Sequence, residues 1–241
     1  MHFAALLLIQ ALPLWQDIQT TSVNAETRRT EVVYYASRAD ALSKDFCESE
    51  NYLSLNGEWE FKYFEDILTA REKPASWDRI QVPGNWEVQG YGTPIYVNIP
   101  YDFCPKDPVA GVLPETIPGA WYQHRFTLPE SWKGREVYLN LCGSKSGTYV
   151  YVNGREVGYS EDSKNLARFR ITPYLQGGEN TLNLRVFRYT QGSFLECQDF
   201  WRISGEERDV YLSSESRDCG FDFSVVSTLT EDLQTGVFRL R

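Results

Sequence analysis

Thr148-Tyr-Val-Tyr-Val-Asn-Gly-Arg-Glu-Val-Gly-Tyr159 decides the fold of this 241-residue chain. Asn153-Gly154 is the favoured central pair of a type I′ turn, in which both residues need φ > 0. The segments on either side alternate with the period of a strand, so the stretch predicts a β-hairpin. Working outward, Glu136 to Leu141 and Trp121 to Thr127 read as strands before it. Phe169-Arg-Ile171, Thr181 to Phe187 and Val210-Tyr-Leu212 read as strands after it. Further upstream, Asn56-Gly57 precedes a run in which Trp59, Phe61 and Tyr63 share a face, and Ile80-Gln-Val82 is a short strand ended by Pro83-Gly84. Many short strands separated by turn signals point to an all-β antiparallel sandwich rather than βαβ units. Residues 16 to 50 are polar and mixed, with one helix-compatible stretch at Ala36 to Lys44.

Composition narrows the function classes. A net charge of −9 repels nucleic acid and anionic membranes, so neither is an expected partner. Seven Trp, 15 Tyr and 13 Phe suit sheets and flat surfaces on which sugars can rest. The five cysteines are scattered without a CxxC pair, and His2 and His124 are the only histidines, which argues against a structural zinc cluster. The thiols read as free and mostly buried. Phe3 to Ile9 is too short to span a bilayer but has the size of a signal-peptide core, although no basic residue other than His2 precedes it. Export to the periplasm or medium is the expectation if residues 1–15 are such a leader, with cleavage near Trp15–Gln16 or after Ala25. Otherwise the chain is expected in the cytoplasm.

Three segments carry a family resemblance. The first is Leu55-Asn-Gly-Glu-Trp-Glu-Phe61. The second is Val82-Pro-Gly-Asn-Trp-Glu-Val-Gln-Gly-Tyr-Gly-Thr-Pro-Ile-Tyr-Val-Asn-Ile-Pro-Tyr101. The third is Gly192-Ser-Phe-Leu-Glu-Cys-Gln-Asp-Phe-Trp-Arg-Ile-Ser-Gly205, followed by Arg208-Asp-Val-Tyr-Leu212. In this order, with Gly158-Tyr-Ser-Glu-Asp-Ser163 between them, they resemble the N-terminal sugar-binding portion of glycoside hydrolase family 2 β-galactosidases. The resemblance implies a jelly-roll, galactose-binding-like β-sandwich at 52–218, after an N-terminal extension at 16–51. It also implies the first strands of an incomplete immunoglobulin-like sandwich at 219–241, where Phe221 to Val226 and Gly236 to Leu240 read as strands.

What the resemblance implies about the site is specific. Asn98 would hydrogen-bond a sugar hydroxyl, and Asp199 would bind galactosyl hydroxyls and give an oxygen ligand to a sodium-like monovalent cation. An amide that both donates and accepts, beside a fixed carboxylate, suits a polyhydroxyl ligand. Taken alone, Asn98 also reads as a turn residue before Pro100, and Asp199 as an ion-pair partner of Arg202 or Arg208. Trp86 and Trp201 read as inward-packed rings, with a sugar platform as the competing reading.

A β-galactoside is the expected partner, and homo-oligomerisation of the parent enzyme is left open. The two catalytic glutamates and the family's Mg²⁺ site would lie in a barrel outside this chain, so no residue here is expected to be catalytic. Glu196 with Asp199 as a local catalytic pair finds no second wall for a pocket. A stand-alone carbohydrate-binding module and a fragment of a β-glucuronidase or β-mannosidase are the alternatives. Three departures from the family pattern stand out. Glu206 occupies an aliphatic position, where a buried and unpartnered carboxylate would cost several kcal/mol. The 66–76 segment is short, and Gly119-Ala-Trp replaces Gly-x-Tyr.

Overall fold

The computed structural model describes residues 12–99, 101–104, 106–218 and 223–241. The apolar run Phe3 to Ile9, Pro100 and the start of the expected second domain at Cys219 lie outside the described residues. In chain order the strands are β1 (Ser22–Val23), β2 (Tyr52–Ser54), β3 (Gly57–Phe64), β4 (Asp78–Val82), β5 (Gly84–Asn85), β6 (Ile95–Val97), β7 (Gly119–Thr127), β8 (Glu136–Leu141) and β9 (Ser144–Lys145). They continue with β10 (Gly147–Val152), β11 (Arg155–Ser160), β12 (Ala167–Arg170), β13 (Glu179–Phe187), β14 (Phe200–Arg202), β15 (Gly205–Glu206), β16 (Val210–Glu215), β17 (Val225–Leu229) and β18 (Gly236–Leu240).

A seven-stranded sheet, ordered β1-β11-β10-β13-β7-β3-β4, packs on a four-stranded sheet ordered β12-β8-β16-β2. Their pairings are antiparallel, and the result is the antiparallel sandwich that the turn spacing predicts, in keeping with the jelly roll that the resemblance implies. The hairpin at its centre is β10–β11. Asn153 has φ 52° and Gly154 φ 75°, the left-handed pair that a type I′ turn requires. Asn153 also ties the turn to its neighbour: Nδ2 donates to the Tyr174 carbonyl at 2.9 Å, and Oδ1 accepts from the Thr181 amide at 2.9 Å. A Cβ at Gly154 would meet nothing within 4 Å, so substitution there isolates the backbone cost. Gly154→Ala should therefore destabilise the domain by about 1–2 kcal/mol, read as a Tm lower by a few degrees.

Both faces of the large sheet are covered, which explains why its strands alternate valine with tyrosine rather than with charge. Val150 and Val152 point into the layer between the sheets, with Leu139, Leu141, Phe169, Leu182 and Leu184. Tyr149 and Tyr151 point the other way, against Trp15, Trp121, Tyr159 and Phe187. Trp15 stacks on Phe187 at 5.7 Å, and its carbonyl accepts from the Gln191 amide at 3.1 Å. Ser22 and Val23 then pair with Ser160 and Tyr159 as an edge strand. The polar composition of residues 16 to 50 hides this role, because a few apolar residues are enough to cap an aromatic face. A short helix, Arg38–Ser43, begins where the sequence allows one and is capped by Ser37, which accepts from the Asp40 amide.

Cys47, Cys104, Cys142 and Cys197 are free, and burial pushes the Cys142 thiol pKa upward. β17 and β18 pair with each other through Val225↔Leu240 to Leu229↔Gly236, and their side chains are largely exposed.

Candidate functional site

Two three-residue strands build the site. β6 and β14 pair antiparallel as a separate ribbon, with Val97 opposite Phe200, Tyr96 opposite Trp201 and Ile95 opposite Arg202. Asn98 follows β6 and Asp199 precedes β14, so both lie just beyond the Val97–Phe200 end of the ribbon. The two sequence-predicted residues, from segments a hundred residues apart, thus flank the same end of the ribbon, and both are exposed. Asn98 makes no side-chain hydrogen bond among the described residues, so its amide donors and acceptor face outward.

Asp199 is free of the ion pairs weighed for it. Arg202 Nε lies 3.4 Å from Asp102 Oδ1, and Arg208 Nη1 donates to the Lys164 carbonyl at 2.8 Å. Asp199 Oδ1 instead accepts from the Tyr96 hydroxyl at 3.1 Å, and that bond holds the Tyr96 pKa above its usual value. The other carboxylate oxygen has no protein partner among the described residues. One anionic oxygen at an exposed tip can serve a hard monovalent cation, which would need further oxygen ligands. No group of three or more His, Cys, Asp or Glu residues that could hold a metal occurs among the described residues.

Trp201 and Tyr96 are neighbours across the ribbon, with ring centroids 5.6 Å apart, and are 53% and 56% exposed. The inward-packing expectation therefore divides. Trp86 is fully buried in the main core, whereas Trp201 presents its ring outward beside Asp199. An exposed aromatic beside a carboxylate and an amide is the composition of a carbohydrate contact surface. Tyr96 escaped the sequence reading, because its partner Asp199 lies 103 residues away and only the ribbon's register joins them.

Glu196 has a different task. Its carboxylate accepts from the Ser163 amide at 2.7 Å and the Ser163 hydroxyl at 2.5 Å, and burial raises its pKa. Those bonds anchor the 192–199 loop to the sandwich and occupy the group. Glu161 anchors the same loop from the other side, accepting from the Gly192 amide at 2.7 Å and the Tyr159 hydroxyl at 2.6 Å. Burial pushes its pKa to about 7.

Glu206 is fully buried on β15, which pairs with β5 and β9. Its Oε1 accepts from the Ser144 hydroxyl at 2.6 Å, and desolvation pushes its pKa to about 8. Desolvation thus favours the neutral acid over the carboxylate near pH 7. The expected cost of a charge at this aliphatic position is avoided by protonation rather than by an ion pair.

Comparison with known proteins identifies the family. The family described as glycosyl hydrolases family 2, sugar binding domain, matches residues 52–215. A β-galactosidase of Priestia megaterium is 40% identical over 234 residues, covering 93% of this chain and 23% of that protein. A β-galactosidase of Vibrio cholerae is 36% identical over 218 residues, covering 88% of this chain and 20% of that protein. Among solved structures, a β-glucuronidase from an uncultured Clostridium superposes with a TM-score of 0.57 at 18% identity, over 87% of this chain and 35% of that one. A β-glycosidase from Bacteroides vulgatus superposes with a TM-score of 0.54 at 23% identity, over 78% of this chain and 23% of that one. These superpositions bear on the fold alone. The chain belongs to glycoside hydrolase family 2, as its sugar-binding domain. It spans between a fifth and a quarter of the length of the β-galactosidases it matches.

Proposed function

We propose that this chain is the sugar-binding front portion of a retaining β-galactosidase, which hydrolyses terminal non-reducing β-D-galactose. Asn98 and Asp199 complete the galactose pocket from the side of the sandwich. The observation that carries this reading is the ribbon tip, where, among the described residues, an amide without a partner and a carboxylate bonded to Tyr96 alone are exposed at the end that carries the Trp201 ring. Asn98 donates to and accepts from a sugar hydroxyl, and the Asp199 carboxylate accepts from galactosyl hydroxyls. Asp199 also gives one oxygen to a bound sodium ion, which supplies positive charge next to the sugar oxygens. The catalytic carboxylates, and with them the Mg²⁺ site, belong to the remainder of the whole protein. Retaining chemistry needs two carboxyl groups about 5–5.5 Å apart, and Glu196, the carboxylate nearest in sequence to Asp199, is committed to Ser163.

The test of the functional reading is direct. The purified 241-residue chain, given a chromogenic β-galactoside, should release no chromophore above a buffer blank. Turnover that persists after removal of host enzyme would overturn the assignment of the chemistry to the rest of the protein.

A further inference from the structure

Beneath the ribbon tip lies a buried guanidinium whose two terminal nitrogens donate to the loops above it. Arg202 is 3% exposed. Its Nη2 donates to the Ile99 carbonyl at 2.8 Å, next to Asn98. Its Nη1 donates to the carbonyls of Gln198 and, at 3.3 Å, Phe200, on either side of Asp199. Its Nε lies 3.4 Å from Asp102 Oδ1, and the other oxygen of Asp102 accepts from the Tyr189 hydroxyl at 2.5 Å. The plane of the group lies over the Phe200 ring, 4.9 Å from its centroid. Behind it, Arg188 Nη2 donates to the Arg202 carbonyl at 2.9 Å and to the Thr93 carbonyl at 3.2 Å. Its Nη1 is 3.5 Å from the fully buried Glu87.

The geometry points to Arg202 as the positioning residue of this site: one planar fork, bonded to the carbonyl after Asn98 and to the carbonyls flanking Asp199, fixes the span between the two sugar-contacting side chains. The functional consequence rests on the reading of Asn98 and Asp199 given above. Three-residue strands offer too few ladder bonds to set that span alone, and a two-stranded ribbon is marginal in water. A guanidinium supplies five donors in a rigid plane, whereas an ammonium on a flexible stem cannot reproduce their directions. Arg188 and Asp102 hold the fork in turn, so the site stands on a buried charge network rather than on its own loops.

The test is hydrogen–deuterium exchange on the 241-residue chain carrying Arg202→Lys, which keeps the charge and removes the fork. Exchange over residues 93–99 and 194–201 should accelerate at least about 10-fold in both segments together, with the β10–β11 hairpin unchanged. Unaltered exchange in the two segments, or uniform acceleration across the sandwich, would overturn the proposal. A second measurement on the unaltered chain covers a variant that fails to fold. The Arg202 guanidinium should give separate, slowly interchanging Nη signals with through-hydrogen-bond couplings to the carbonyls of Ile99 and Gln198, and a freely rotating group would overturn the proposal equally. In the whole enzyme, Arg202→Lys should lower kcat/KM about 10-fold. If both segments loosen while neither this change nor Asp199→Asn affects kinetics, the positioning role stands and the sugar-site reading fails.

Discussion

Glu206→Gln should raise stability at pH 8 and flatten its fall between pH 5 and pH 8. The side chain is fully buried, and desolvation pushes its pKa to about 8 from an ordinary glutamate value of 4.5. In the unfolded chain the same group ionises near 4.5. Between those two values the folded protein keeps a proton that the unfolded chain has released. Stability therefore falls as pH rises through that window and levels off above pH 8. A shift of this size corresponds to about 3–5 kcal/mol at its full extent. Glutamine has the size and neutrality of the protonated acid and keeps an oxygen for the Ser144 hydroxyl, so the titration disappears with little change in packing. Glu161, raised to about 7, acts with the same sign and leaves the variant a shallower slope of its own. Thermal melts at half-unit pH steps are the measurement. Parallel curves for the two proteins would show that Glu206 does not titrate as described.

Legibility followed the range of the interaction. Asn153-Gly154 dictates its turn through two adjacent residues, so the hairpin and the strands registered on it could be read directly. The three family-like segments led to Asn98 and Asp199 without any knowledge of their pairing. The ribbon that joins them could not be read, because two three-residue strands on distant segments carry no periodicity to detect. The outward turn of Trp201 was lost for the same reason: its face is set by pairing with Tyr96, not by local alternation. Tyr149 and Tyr151 did carry a readable signal. Aromatic rings in place of charges on the second face of a strand announce that both faces are covered, here by Trp15 and its neighbours. Arg202 was visible only as a rival partner for Asp199, and its actual bonds run to backbone carbonyls that no residue pattern encodes.

Asp199→Asn and Asn98→Ala should each lower kcat/KM of the whole enzyme by at least about 10-fold, because a lost hydrogen bond to a sugar corresponds to roughly 1–3 kcal/mol. The first change keeps the size of the side chain and its bond from Tyr96, and removes the charge on which the proposed sodium and sugar contacts depend. The second removes a donor and an acceptor that no described residue uses. Stability should hardly move in either case, since both side chains are exposed and outside the core. The decisive measurement is steady-state kinetics on Asp199→Asn in the whole enzyme, across a sodium titration and beside a thermal melt. The expected result is a large loss of kcat/KM and of its sodium dependence with the Tm preserved. Activity near that of the unaltered enzyme, with a collapsed Tm, would contradict the assignment and make the ribbon tip a structural feature alone.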